Sequence, residues 1–329
     1  MCAQRVLVTG ATGFIGRNLI PELANQTEAF ALVRPGTDES IAGSLSKSAK
    51  VLVGDVTKYE HVGNALKRER IDVVIHLAAL VQRPGTKPAS EHSYVQTNVQ
   101  GTLNICEASL EAGVKRLVHM STAGVHGRGF PGQLMDENSP YAPTTVYERS
   151  KAAADRLVLD YAKRGLETIA LRPPLVYGDP HSKFFKWLFS YAANRFIPVF
   201  GDGLCLKHFV HVTDVSQATL LAMNNGRPGR AYIIADETPV SIDNLLMMVG
   251  TILGRKGRLI HFPLQRRFAL KLSESLSWGL GDPISWFLNN RAYRVDAMRN
   301  ELNYRPRMHL QTGLAELLEI MRKAHVIQR

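Results

Sequence analysis

From residue 5 to about residue 171, short apolar runs rich in β-branched side chains alternate with longer stretches whose apolar positions recur every three or four residues. The runs at 5–9, 28–33, 50–54, 72–77, 116–121 and 168–171 predict strands, and the stretches at 15–25, 59–68, 90–113 and 145–165 predict helices. Strand and helix in alternation imply a parallel sheet covered on both faces, the doubly wound α/β arrangement. After about residue 175 the pattern becomes irregular and richer in helix, clearest at 241–253, 265–280 and 310–323. The expected division is a sheet-bearing domain over 1–175 and a smaller, mostly helical lobe over 176–329, interleaved with it and not folding independently.

Composition changes little in that picture. Of 329 residues, 45% are hydrophobic and 21% charged, ordinary for a globular chain with an ample core. No export leader is read before the first strand, and the apolar stretch 184–200 is interrupted by Lys186, Asn194, Arg195 and Pro198, so no membrane-spanning helix is expected. Cys2, Cys106 and Cys205 have neither metal-site nor disulfide spacing, which fits a reducing cytoplasm. The net charge of +11 does matter, because it favours an anionic partner: a cofactor phosphate, a nucleotide or CoA substrate, an acidic membrane surface or nucleic acid. The basic residues are scattered, with no RNA-binding aromatic motif or helix-turn-helix pattern, so no specific nucleic-acid partner is expected.

Between the first strand and the first helix the chain reads VLVTGATGFIG, residues 6–16. Gly10 permits a tight turn, Gly13 lets the backbone approach a pyrophosphate, and Gly16 lets the helix pack closely on the sheet. Free N–H groups at the helix start make the anion site, with Phe14 and Ile15 as further contacts. At the end of the second strand an acid would hold the adenosine ribose hydroxyls, whereas ALVRPGT supplies Arg34, which suits a 2′-phosphate. NADP(H) is therefore the expected cofactor and NAD(H) the alternative. Asp55 and Val56, in GDV after the third strand, are candidates for the adenine, whose amino group the Asp55 carboxylate can accept.

VYERSK at 146–151 sets Tyr147 one helical turn before Lys151. With TGATGFIG (9–16), GDV (54–56), HLAA (76–79), NVQGT (98–102), STAGVHG (121–127) and RPPLVYG (172–178), it follows an order and spacing that resembles the extended short-chain dehydrogenases/reductases, the group that includes the NAD-dependent epimerases and dehydratases. GDGLCLKHFVHVTDV (201–215) extends the resemblance. It implies that Tyr147 exchanges a proton with a substrate hydroxyl or carbonyl while the nicotinamide exchanges the hydride. It also implies that Lys151 lowers the phenol pKa and holds the nicotinamide ribose, and that Thr122, in preference to Ser121, bonds the reacting oxygen. A positive charge about 4 Å away contributes about 4 kcal/mol at an effective dielectric of about 20, or roughly three pKa units. Leu77, Ala78, Ala79, Asn98 and Pro174 are further implied cofactor contacts, and a homodimer through the 90–113 and 145–165 helices is implied as well. His76 reads as a packed strand-end histidine. His208, His211 and Asp214 are not expected to bind a metal, since the two histidines fall on opposite strand faces.

The family's nucleotide-sugar enzymes carry an asparagine in RPxNVYG, and a glutamine and an arginine in GxGxQxRDF. This chain has Leu175, Cys205 and Lys207 at those places, with His208 for the aspartate. Phe184, Phe185, Trp187, Phe189, Trp278, Trp286 and Phe287 read first as core. Where they line a site they suit an apolar alcohol or ketone, as in the 3β-hydroxysteroid and sterol dehydrogenase branch that this part also resembles. Basic amphipathic segments then suit peripheral contact with a membrane. The expected activity is interconversion of a secondary alcohol and a ketone on a sterol-like or acyl small molecule. A nucleotide-sugar epimerase or dehydratase is the second reading, and a silent dinucleotide sensor or nucleic-acid scaffold the third.

Overall fold

The computed structural model describes residues 3–81, 89–262 and 283–327. The β-branched runs become β1 (Arg5–Thr9), β2 (Glu28–Val33), β3 (Lys50–Val53), β4 (Val73–His76), β5 (Arg116–Met120) and β6 (Glu167–Arg172). Short strands follow: β7 (Leu175–Tyr177), β8 (Phe196–Phe200), β9 (Leu206–Lys207), β10 (Phe209–His211), β11 (Arg230–Ile233), β12 (Val240–Ser241) and β13 (Arg258–Phe262). Among the described residues one seven-stranded parallel sheet runs in the order β3-β2-β1-β4-β5-β6-β11, with the remaining strands in three two-stranded pairs. The doubly wound sheet is the expected one. Its seventh strand, β11, comes from beyond residue 175, so the second part of the chain completes the sheet of the first.

Helices cover both faces. On one side α1 (Phe14–Ala24) and α8 (Val212–Asn225) pack on Val6, Val8, Val73, Ile75 and Val118. On the other, α3 (Tyr59–Arg68), α5 (Gly101–Glu111) and α6 (Val146–Tyr161) pack on Leu7, Val74 and Leu117. Alternation along each strand divides these two sets, since successive side chains point to opposite faces. Because β1 and β4 are neighbours whose connections depart in opposite directions, a crevice opens at their C-terminal ends. That crevice sits between the glycine turn and α6.

Two predicted elements differ in detail. The 90–113 helix is interrupted: a short helix at Glu91–Tyr94 passes through a π-helical turn at Val95–Gln100 before α5 begins. The helix expected at 265–280 and Trp278 lie outside the described residues. The C-terminal lobe has its own apolar centre, in which Phe185, Phe189 and Phe287 are buried and Phe184, Trp187 and Trp286 partly so. These aromatics are core, as read first.

Candidate active site

The glycine turn is shaped by what it excludes. Gly10 has φ +68°, and a Cβ there would lie 2.6 Å from the Ala78 nitrogen, so β1 passes β4 too closely for any side chain. A Cβ on Gly16 would meet the Gly10 and Ala11 carbonyl oxygens at 2.6 Å, which is how α1 packs tightly on the turn. Gly13 is the N-cap of α1 and offers no side-chain capping bond, so the helix starts with backbone N–H groups available to an anion. Phe14 and Ile15 are half-buried beside it. At the ends of β2 and β3 a cleft of about 310 Å³ is lined by Arg34, Pro35, Gly36, Thr37 and Asp55. Arg34 is exposed there, and its carbonyl accepts the Thr37 hydroxyl at 2.7 Å. One Asp55 carboxylate oxygen accepts the Thr57 N–H at 2.9 Å. Val56 is buried, and its carbonyl accepts the Asn104 amide at 2.9 Å. A cradle that a Cβ would fill, an uncapped helix start and a cation at the end of β2 together fit a phosphate-rich dinucleotide.

Asn98 sits in the π-helical turn and is buried. Its side-chain oxygen accepts the Leu80 N–H at 2.7 Å, while its amide donates to the Leu80 carbonyl at 3.1 Å and to the Ser150 hydroxyl at 2.9 Å. The amide thereby clamps the half-buried run Leu77, Ala78, Ala79 that leaves β4, and ties it to α6. The extra residue of a π-turn re-aims a side chain without ending the helix, which explains why the 90–113 periodicity looks unbroken in sequence.

Tyr147 lies in the capped first turn of α6, half-buried, with its ring edge-on to Tyr94 at 6.4 Å. Lys151 is 2% exposed; its ammonium donates to the Met120 carbonyl at 2.7 Å and to His119 Nε2 at 3.2 Å. The expected lowering of the phenol pKa is not found. Burial, followed by the Glu148 charge and Tyr94, holds Tyr147 above its ordinary value. Burial likewise brings Lys151 down to about 8, against the opposing pull of Asp155. The lysine is bound to the end of β5 by neutral acceptors, and desolvation is the largest influence on both groups. Thr122 is half-buried and caps the following turn: its hydroxyl accepts the Gly124 N–H at 3.1 Å and approaches the Pro173 carbonyl at 3.4 Å. Pro174, next along, is half-buried at the same edge.

Two ion pairs behind these residues escaped the sequence reading. Asp155, one turn beyond Lys151, is fully buried and meets Arg172 at 2.6 Å and the Tyr141 hydroxyl at 2.5 Å. Glu148 closes the capping box of α6, accepting from Thr144 and Thr145, and its other oxygen meets Arg291 at 2.6 Å. Arg291 thus docks the C-terminal lobe onto the helix that carries Tyr147. The signals were weak: Asp155 is spaced one turn from Lys151, and Arg172 opens the RPPLVYG stretch, but neither spacing reveals a partner.

On the substrate side, Leu175 is 39% exposed, whereas Cys205 and Lys207 are buried. The Lys207 ammonium donates to the Asn289 carbonyl and lies 5.1 Å from the centre of the Trp286 ring. His208 donates to the Asp236 carbonyl at 2.9 Å and burial lowers it to about 4. His211 caps α8, and the Asp214 carboxylate accepts the N–H groups of Arg307 and Met308. Buried His76 is packed between Thr9 at 2.7 Å and Thr102 at 3.0 Å.

The model of the NAD dependent epimerase/dehydratase family matches residues 6–235. Over 328 residues the chain is 30% identical to 4-hydroxy-2-methyl-3-oxo-4-farnesyl-3,4-dihydroquinoline-1-oxide ketoreductase of Stigmatella aurantiaca, covering 95% of this chain and 96% of the relative. It is 32% identical over 255 residues to mouse (Mus musculus) dTDP-D-glucose 4,6-dehydratase, covering 74% and 71% of the two chains. The crystal structure of Thermus thermophilus UDP-glucose 4-epimerase in complex with NAD superposes with a TM-score of 0.75 at 25% identity, over 98% of this chain and all of that one. The sheet order, the glycine turn and these matches agree: the chain belongs to the NAD-dependent epimerase/dehydratase family of extended short-chain dehydrogenases/reductases and is an enzyme of that superfamily.

Proposed function

We propose that the protein is an NADP(H)-dependent oxidoreductase that interconverts a secondary alcohol and a ketone on an apolar substrate, with Tyr147, Lys151 and Thr122 as its reacting centre. The observation that carries this reading is the state of the two buried carboxylates of α6. Glu148 is occupied by the capping box and Arg291, and Asp155 by Arg172 and Tyr141. Tyrosine, lysine and threonine suffice for one proton and one hydride, whereas elimination of water needs further acid and base groups. The ketoreductase relative, matched over nearly its full length, acts on a farnesylated ketone, and this chain's exposed Leu175 suits such an apolar partner.

A bound nicotinamide supplies or takes the hydride. The protein's own part is to hold and move the proton. In reduction the Tyr147 hydroxyl donates its proton to the substrate oxygen, and its burial, by disfavouring the free phenolate, keeps that proton in place until the oxygen gains charge. The Lys151 ammonium then stabilises the phenolate left behind. Thr122 orients the carbonyl by hydrogen bond. Arg34, at the end of β2 where no acid stands, supports a 2′-phosphate.

The second reading, a nucleotide-sugar dehydratase or epimerase, is favoured by the mouse relative's 32% identity. Cofactor accounting separates the two. A reductase consumes one reduced nicotinamide per product, while the other chemistry returns the hydride and leaves no net change. Panels of apolar ketones and of nucleotide sugars, followed by nicotinamide absorbance, should show consumption with the former; nucleotide-sugar conversion without consumption reverses the assignment. Tyr147→Phe should cut turnover by about a thousandfold with cofactor affinity nearly unchanged.

A further inference from the structure

The registers of β1, β4 and β5 place three polar side chains in one row across the sheet. Thr9 pairs with His76, and His76 with His119. Parallel neighbours in register point the same way, so this row continues the face that carries Leu7, Val74 and Leu117 and ends it at the cofactor crevice. Both histidines are wholly buried. Thr9 bonds His76 Nδ1 at 2.7 Å and accepts the Ala78 N–H at 3.2 Å; the two imidazole rings lie 5.3 Å apart; His119 Nε2 is 3.2 Å from the Lys151 ammonium. The row therefore runs from the glycine turn to the lysine.

We infer that His119 is a positioning residue for Lys151: its unprotonated Nε2, with the Met120 carbonyl, takes two of the three ammonium N–H groups and aims the third at the crevice. This rests on the reading of Lys151 as part of the reacting centre. An ammonium on a four-carbon stem has many rotamers, and two acceptors from one rigid strand reduce them to one. Both acceptors are neutral, and neutrality is essential. A carboxylate in place of His119 would form an ion pair that competes with the phenolate for the same charge. His119 stays neutral because its burial, the Lys151 charge and His76 all disfavour imidazolium. The titratable and charged groups around Lys151 are then His119 and His76 from the sheet, Tyr147 and Asp155 from its own helix, and Arg172 behind Asp155. Losing the His119 acceptor removes stabilisation of the charged amine and brings its deprotonation to lower pH.

The test uses the full-length protein and titrates reduced nicotinamide binding by fluorescence from neutral pH to above the Lys151 pKa, which is about 8. Three variants are compared with wild type: His119→Leu, His119→Gln, which keeps an acceptor at about the same reach, and Lys151→Met. Expected results are a several-fold weaker affinity for His119→Leu, with the alkaline loss of binding moved down by about one pH unit. His119→Gln should restore both, and Lys151→Met should bind weakly with no alkaline loss. If His119→Leu melts at the wild-type temperature and keeps the wild-type pH profile, or if His119→Gln fails to rescue a shifted one, the inference is overturned. If Lys151→Met itself keeps the wild-type affinity and profile, it is the assignment of Lys151 that fails.

Discussion

Arg172, at the end of β6, and Lys151, on α6, are cations buried to almost the same degree, 1% and 2% exposed, yet their surroundings are opposite. Arg172 meets the Asp155 carboxylate, the Tyr141 hydroxyl, His126 Nε2 and the Glu137 carbonyl. Lys151 meets one carbonyl and one neutral imidazole. Burial pulls the Arg172 pKa down, but the Asp155 charge and hydrogen bond together with Tyr141 and Glu137 more than offset it and hold the pKa above the ordinary value, whereas Lys151 is drawn down to about 8. A structural charge is neutralised where it is buried. The lysine has two neutral acceptors but no carboxylate bonded to it, so burial lowers its pKa.

Breaking the neutralised side should have the largest effect. Asp155→Ala strands a buried guanidinium, and chemical denaturation should show a loss of about 4 kcal/mol. The opposite sign is expected at Lys151. Its folded pKa lies below its ordinary value of 10.5, so the unfolded chain binds more protons between the two, and stability rises with pH across that window. Lys151→Met removes a buried charge that has no carboxylate bonded to it. It should raise stability by about 3 kcal/mol below the folded pKa, with the gain vanishing as pH approaches the unfolded value. Thermal melts along a pH series check this, and a destabilised Lys151→Met would show that the lysine is as well paired as the arginine. The smallest effect lies outside the buried pair: Arg34→Ala should weaken NADPH binding about tenfold, worth about 1.4 kcal/mol, and leave NADH binding unchanged. Equal losses for both cofactors would remove the 2′-phosphate from the role of Arg34.

Residues that act through their immediate neighbours were legible in the chain. Gly13 and Gly16 work by backbone geometry within one turn, as does the positive φ of Gly10, whereas the close approach of Gly10 to Ala78 is a tertiary contact; Tyr147 and Lys151 share a helix face by spacing alone. Legibility fell off where a residue's partner is distant in sequence. Nothing local marks His119 as the acceptor for Lys151, 32 residues on, or Arg291 as the partner of Glu148, 143 residues away. The phenol pKa is not legible for the same reason: spacing gives the shared helix face but not the burial of both groups or the acceptors that already hold the ammonium.

By itself, then, the sequence determined the alternation of strand and helix, the glycine turn and the identity of the polar residues on α6, because periodicity and turn geometry depend on contacts a few residues apart. Tertiary structure alone decided which strands are neighbours, that β11 closes the sheet, and that Thr9, His76 and His119 align in one row. Those outcomes depend on register between distant segments and on desolvation, and no stretch of chain carries either in isolation.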